Sequence, residues 1–270
     1  TEDKKQLENN NKQYLHPCHL IFFIVTSLPL ISRNLKVKYR RSIFGFLWTL
    51  LHPLLLGSIF FFLFKYIAKI QIPDYGAFVV VSIMPWTFFS QSVIEASESM
   101  YNNAHLLRKI YFPREAFPMS SVVTNFITLI LSLPVMVVFA YTAGGGIGWQ
   151  TLALIPILAL TLMVTYGVGL LLSVLYIFYR DVRHIIGILI QVLFYGTPVI
   201  YEAKMVPEVW KPVLLLNPMA SLIPAYRDVI LYQRWPDWTA MGASALVTFG
   251  IVAVAYNYFA KYNRVIPEYV

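Results

Sequence analysis

The sequence has little charge and almost no cysteine, and both deficits narrow what the chain can be. Only 13% of its 270 residues are Asp, Glu, Lys or Arg, against roughly 25% in an ordinary soluble domain. Because 58% of the residues are hydrophobic, a soluble globule of this composition would expose much apolar surface. The one cysteine, Cys18, cannot form an intrachain disulfide, and there is no C-x-x-C pair. We therefore expect an integral membrane protein that binds no metal.

Motifs for energy-coupled chemistry are also missing. No glycine is followed by lysine, so the chain has no Walker A loop with which to bind ATP. The apolar stretches hold no Asp or Glu in their interiors, and Glu95 stands at the end of one of them. This counts against a proton- or sodium-driven carrier and against an intramembrane hydrolase. We expect no catalytic residues and no cofactor in this chain, so any pumping would need an external energy source.

Six apolar stretches approach the roughly 20 residues that a helix needs to cross a bilayer. They predict an all-α integral membrane protein with six transmembrane helices, at about 47–67, 76–95, 119–141, 152–178, 185–201 and 239–259. The fifth is short and contains Gly196, Thr197 and Pro198. This composition is typical of a helix whose far end is broken and shielded by protein.

Two segments outside these spans are apolar but too short to cross. Residues 20–31 precede a basic cluster, which favours an amphipathic helix on the membrane surface over a seventh span. Residues 1–46 would thus form an N-terminal cytoplasmic region, and residues 47–270 the transmembrane domain. Within the latter, residues 202–238 are rich in proline and tryptophan, which predicts short helices that dip into the outer leaflet and return. We name this the re-entrant segment.

The distribution of positive charge predicts the orientation. Fifteen of the 21 Lys and Arg fall on the side of both termini in the six-span topology, so both termini are expected in the cytoplasm. The formal net charge of +8 is spread between apolar spans. It therefore indicates contact with anionic membrane lipids rather than with nucleic acid.

Several stretches resemble the ABC-2-type permeases of the Wzm and TarG type, which are polysaccharide exporters. They occur in the order found in that family: KYRRSIFGFLWTLLHPL at 38–54, LRKIYFPRE at 107–115, YRDVRH at 179–184, GTPVIY at 196–201, LNPM at 216–219 and YRD at 226–228. The asparagine usual before the first-span proline is His52 here. The first stretch is closer to the O-antigen branch than to the teichoic acid branch.

The resemblance implies the transmembrane half of an ABC exporter in the bacterial cytoplasmic (inner) membrane. A homodimer of the chain would pair with two copies of a separate ATPase subunit, which would bind ATP and Mg²⁺. The cargo would be a polysaccharide or polyol-phosphate polymer on undecaprenyl diphosphate. Two alternatives stay open: an ABC-2 exporter of a small lipid or drug, and a membrane enzyme that modifies lipids or glycans.

Two cytoplasmic loops are the candidates for contact with the ATPase subunit. Aromatic and charged residues share the first loop, and exposed aromatics with flanking charges are typical of binding hot spots. For the second loop, a salt bridge that caps the fifth span is the alternative. The candidates are Tyr101, Arg108, Lys109, Tyr111, Phe112, Arg114 and Glu115, with Arg180 and Asp181 in the second loop.

Two further sets of residues are candidates for contact with the cargo. A basic cluster before the first span would meet the lipid diphosphate, or else only anionic membrane lipids: Arg33, Lys36, Lys38, Arg40 and Arg41. Aromatic rings facing a channel would stack on sugars, although packing against lipid is the alternative for each: Phe60, Phe64, Phe194, Tyr195 and Tyr201.

Overall fold

A computed structural model describes residues 17–40, 47–67, 69, 72–109, 113–263, 265 and 266. These residues form ten α-helices and no strand. The helices are α1 Pro17–Tyr39, α2 Leu47–Phe62, α3 Tyr75–Asn102, α4 Ala104–Lys109, α5 Ala116–Thr142, α6 Leu154–Phe178, α7 Val182–Tyr195, α8 Lys211–Leu215, α9 Pro218–Ile230 and α10 Trp238–Tyr262. The predicted all-α membrane fold is confirmed.

Helix α3 lies at the centre of the helix bundle. It packs against α2, α5 and α6, and α10 packs on the far side of α6. Most of α3 is buried, because apolar side chains cover its whole circumference rather than one stripe. The bundle has two ends. We call the end where α3, α6 and α10 finish the C-terminal face, and the opposite end, which carries the re-entrant segment, the re-entrant face.

Within the described residues, five helical segments are long and apolar enough to cross a membrane: Leu50–Ile67, Tyr75–Asn102, Ala116–Thr142, Trp149–Phe178 and Trp238–Tyr262. The stretch predicted as a fifth span, 185–201, is instead the 14-residue helix α7. Fourteen residues rise about 21 Å, short of the roughly 30 Å hydrocarbon core. The helix ends where Gly196, Thr197 and Pro198 begin.

Helix α3 also departs from the prediction, because it continues seven residues beyond the predicted end at Glu95 and stops at Asn102. No glycine or proline interrupts this last part. Glu95 and Glu98 therefore stand on a regular helix rather than in a loop, and their side chains point at neighbouring elements.

The N-terminal helix α1 packs along α5 rather than lying apart from the bundle. Its polar side chains account for the docking: Asn34 Nδ2 donates to Ser120 Oγ at 3.4 Å, and Lys38 Nζ donates to Asn125 Oδ1 at 2.5 Å. The predicted interface helix is therefore also a packed element of the fold.

Helix α6 packs closely against α3, and a polar side chain caps α10. A Cβ on Gly169 of α6 would lie 2.8 Å from the Cβ of Ala96 on α3, so the two helices approach as closely as glycine allows. Asp237 caps α10 by accepting bonds from the Thr239 hydroxyl and from the backbone N–H groups of Ala240 and Thr239. These bonds hold the pKa of Asp237 below its usual range.

Candidate functional site

The broken end of α7 is held by three side chains, one from α3 and two from α9 and its N-cap. After Tyr195 the chain turns, and its carbonyl groups are no longer paired within a helix. The Arg227 Nη1 donates to Pro198 O at 2.9 Å, and the Tyr75 hydroxyl donates to Ile200 O at 2.7 Å. The Asn217 Nδ2 donates to Thr197 Oγ1 at 2.8 Å. Protein side chains therefore supply hydrogen bonds to the break.

Arg227 is the charged member of this group, and it is buried with only 3% of its surface exposed. Its guanidinium carbon lies 4.1 Å from the centre of the Phe78 ring, a cation–π contact. Weaker 3.4 Å bonds reach Ser82 Oγ and Tyr201 O. Burial lowers the pKa of Arg227 to about 10, which leaves it protonated at neutral pH.

A polar cleft of about 420 Å³ opens beside Arg227 on the re-entrant face. Arg234 donates to Asp228 Oδ1 at 2.6 Å, and Lys204 pairs with Glu202. Burial raises the pKa of Asp228, and its bond and ion pair with Arg234 act in the opposite direction. These charges are paired with each other. The ion pairs therefore connect the residues that line the cleft beside the broken end of α7.

All five predicted channel aromatics lie in one continuous cluster. The Phe60 ring is 6.2 Å from Phe64 and 5.6 Å from Phe194, measured between ring centres. Tyr195 packs edge-on against Phe194 at 5.3 Å, and the Tyr201 hydroxyl donates to Tyr195 O at 3.0 Å. Tyr195 is exposed and the other four are half-buried. The cluster therefore joins α2, α7 and the start of the re-entrant segment.

The central helix α3 adds rings to this cluster that the sequence did not single out. Trp86 lies 5.6 Å from Phe194, and Tyr75 lies 6.0 Å from Phe64. Trp86 and Tyr75 are buried. A spacing of 11 residues, three helical turns, places them on one side of α3, but only the bundle geometry identifies α2 and α7 as their partners.

On the C-terminal face, the two loops predicted to contact an ATPase touch each other. The guanidinium carbon of Arg180 lies 5.3 Å from the centre of the Tyr101 ring, and Tyr176 packs edge-on against that ring at 5.7 Å. Asp181 stands at the N-cap of α7 without a side-chain cap hydrogen bond. Arg180 thus contacts the neighbouring loop.

The rest of the first loop is fixed at its far end. Arg114 Nη1 donates to Asn263 Oδ1 at 2.8 Å, which ties this loop to the end of α10, and Glu115 is buried. Arg108 and Lys109 belong to the short helix α4. Two of the predicted contact residues lie outside the described residues: Tyr111 and Phe112.

An ion pair between the same two loops was not anticipated. Glu98 Oε1 lies 2.9 Å from Arg183 Nε. The sequence gives only a weak indication of this ion pair. Glu98 lies three residues before Tyr101, and the two residues share one helix face only if α3 continues past residue 95.

The structure separates the predicted basic cluster into two groups. Arg33 donates to Asn103 Oδ1 at 2.7 Å, and Lys38 lies 3.2 Å from Glu95 Oε1, so both side chains take part in docking α1. The side chains of Lys36 and Arg40 are exposed, and Arg41 lies outside the described residues.

Comparison with known proteins covers most of the chain. The profile of the ABC-2 type transporter family matches residues 28–231. The O-antigen export system permease protein RfbA of Klebsiella pneumoniae is 33% identical over 201 residues, which cover 74% of this chain and 78% of that protein. RfbA of Myxococcus xanthus is 32% identical over 243 residues, covering 89% and 94%. The polysialic acid transport protein KpsM of Escherichia coli is 21% identical over 233 residues, covering 82% and 85%.

Proposed function

The chain belongs to the ABC-2 type transporter family, and we propose that it is the permease subunit of an exporter that moves a lipid-linked polysaccharide across the bacterial cytoplasmic membrane. The observation that carries this proposal is its similarity, over most of its length, to proteins named O-antigen export permeases. The chain is a transport subunit and not an enzyme, since ATP hydrolysis belongs to a separate subunit.

The proposed assembly contains two copies of the chain and two ATPase subunits that bind ATP and Mg²⁺. The C-terminal face would lie in the cytoplasm together with both termini, as the excess of Lys and Arg on that side favours. The joined loops around Tyr101 and Arg180 support docking of the ATPase there, because they form one surface rather than two. Closure of the ATPase dimer would press on α4 and shift the spans.

The proposed cargo is an O-antigen-like or teichoic acid-like polymer on undecaprenyl diphosphate. In the described part of the basic cluster, Lys36 and Arg40 are exposed and would meet the diphosphate, whereas Arg33 and Lys38 are engaged within the fold. The aromatic cluster of α2, α3 and α7 would offer ring faces to the sugars along the path. Such faces hold many sugars weakly, which suits passage of a polymer.

Co-purification with an ABC ATPase subunit tests this proposal. The chain would be co-expressed with candidate ATPase subunits and reconstituted in lipid nanodiscs, where mass and ATP hydrolysis are measured. We expect a 2:2 complex, with hydrolysis altered by Tyr101→Ala on the C-terminal face. Tyr141→Ala, an exposed tyrosine on the re-entrant face, serves as the control and should have no effect. A chain that purifies alone with every candidate would contradict the proposal.

A further inference from the structure

Four side chains join the end of α3 to the turn between α6 and α7. We call them the loop clasp: Glu98 and Tyr101 on α3, with Arg180 and Arg183 opposite. Glu98 and Tyr101 are three residues apart and therefore share one face of α3. The clasp combines the 2.9 Å ion pair of Glu98 and Arg183 with the cation–π contact of Arg180 and Tyr101.

The loop clasp joins the end of α3, which leads into α4, to the start of α7. Helix α4 follows α3 after the single residue Asn103, and its Ala104 and Leu106 pack on a buried cluster at the C-terminal face. Helix α7 begins at Val182, so Arg183 lies in its first turn. A displacement of α4 and of the end of α3 can thus reach α7 through Arg183.

Helix α7 is loosely held elsewhere, and this makes the contact at its start important. Ile186 is its only buried residue. At its other end Phe194 belongs to the aromatic cluster that the cargo path would use. A displacement of the first turn of α7 would therefore move the aromatic cluster more easily than a displacement of a deeply packed helix would.

We propose that the loop clasp transmits ATPase-driven movement of α4 to α7, with Glu98 and Arg183 as positioning residues. The inference rests on the proposed function, because it needs an ATPase subunit on the C-terminal face. The Glu98 side chain is 16% exposed and the Arg183 side chain 62%. An ion pair with a largely exposed member shifts an equilibrium by about two- to fivefold. This is enough to bias a movement and too little to hold the fold together, so its loss leaves a folded protein.

A fluorophore on α7 tests the transmission. In a Cys18→Ser background, Val192→Cys on the exposed side of α7 carries an environment-sensitive label, and the nanodisc complex with its ATPase receives ATP. We expect an ATP-dependent change in emission. Glu98→Gln should reduce its amplitude by about two- to fivefold, with the ATPase still bound and hydrolysing ATP. The charge-exchanged double variant Glu98→Arg with Arg183→Glu should restore it, as an interaction between the two residues requires.

The control breaks an ion pair of similar length far from the clasp. Glu208→Gln removes the 2.5 Å pair with Lys211 on the re-entrant face and should leave the amplitude unchanged. Full amplitude in Glu98→Gln, no restoration by charge exchange, or no ATP-dependent signal in the labelled parent complex would each overturn the clasp while the transporter assignment stands. Failure of the parent chain to bind any ATPase would overturn both proposals.

Discussion

Arg227 gives the sharpest prediction about how the re-entrant face is stabilised. Arg227→Met keeps a long side chain over Phe78 but removes the charge and every donor. The bond to Pro198 O at 2.9 Å and the 4.1 Å stacking on Phe78 are then lost, and the Pro198 carbonyl is left without its charged donor. A charged hydrogen bond with a partly desolvated cation–π contact contributes about 2–4 kcal/mol. For a chain of this size that lowers Tm by about 4–16 °C.

The assay is thermal unfolding in detergent, followed by the fluorescence of the six tryptophans. The heating rate is held constant, because irreversible unfolding makes Tm depend on it. Arg234→Met is the matched control: its side chain is 65% exposed, pairs with Asp228 and lies 4.9 Å from the centre of the Tyr232 ring. Loss of an exposed pair costs at most about 1 kcal/mol. If the two variants melt at the same temperature, the broken end of α7 does not depend on Arg227, and the reasoning is refuted.

Three other contacts give expectations for the same or related assays. Gly169→Ala places a Cβ 2.8 Å from that of Ala96 and should lower stability by about 1–3 kcal/mol, whereas Gly250→Ala, with nothing within 4 Å of the added atom, should not. Asp237→Ala should cost about 1 kcal/mol at pH 7. Because capping lowers the Asp237 pKa, this cost should disappear as the pH falls through that lowered pKa. Lys38→Met should speed hydrogen exchange in α1 about tenfold, because it removes two of the polar contacts of that helix, those of Lys38 with Glu95 and Asn125.

Five of the six predicted spans correspond to spanning helices among the described residues, because length and hydropathy decide whether a helix crosses a bilayer. The ends of helices could not be placed so well. The sequence predicts that the second span ends at Glu95, yet α3 continues to Asn102 and so includes a carboxylate that is costly to bury. The cost is offset by Lys38 and Asn125, which meet the Glu95 carboxylate at 3.2 and 2.7 Å. Neither partner is near Glu95 in the sequence, so periodicity could not reveal them.

For the candidate sites too, the sequence indicates which residues matter but not which distant residues they contact. The sequence indicates the five channel aromatics without showing that they touch. The structure brings them together because α2 and α7 both lie against α3. The buried role of Arg227 was not foreseen, since its partners Ser82 and Pro198 are 145 and 29 residues away along the chain. The sequence predicts that the basic cluster before the first span acts as a single group. It divides because Arg33 and Lys38 find polar partners on the bundle, while Lys36 and Arg40 face outward.

The separate motifs of the re-entrant face share one structural role, which is to supply hydrogen-bond partners where α7 ends. A helix that stops inside the membrane domain leaves carbonyl groups without partners, and lipid cannot supply donors. Here the stop comes after Tyr195. Tyr75 and Arg227 donate to the carbonyl groups that follow, and Asn217 donates to the Thr197 hydroxyl. Asn217 also caps α9, which carries Arg227, by accepting from Met219 N at 3.1 Å. The stretches 196–201, 216–219 and 226–228 therefore act as one unit, so a substitution in any of them should disturb the same turn, and through Tyr201 and Tyr195 the aromatic cluster beside it.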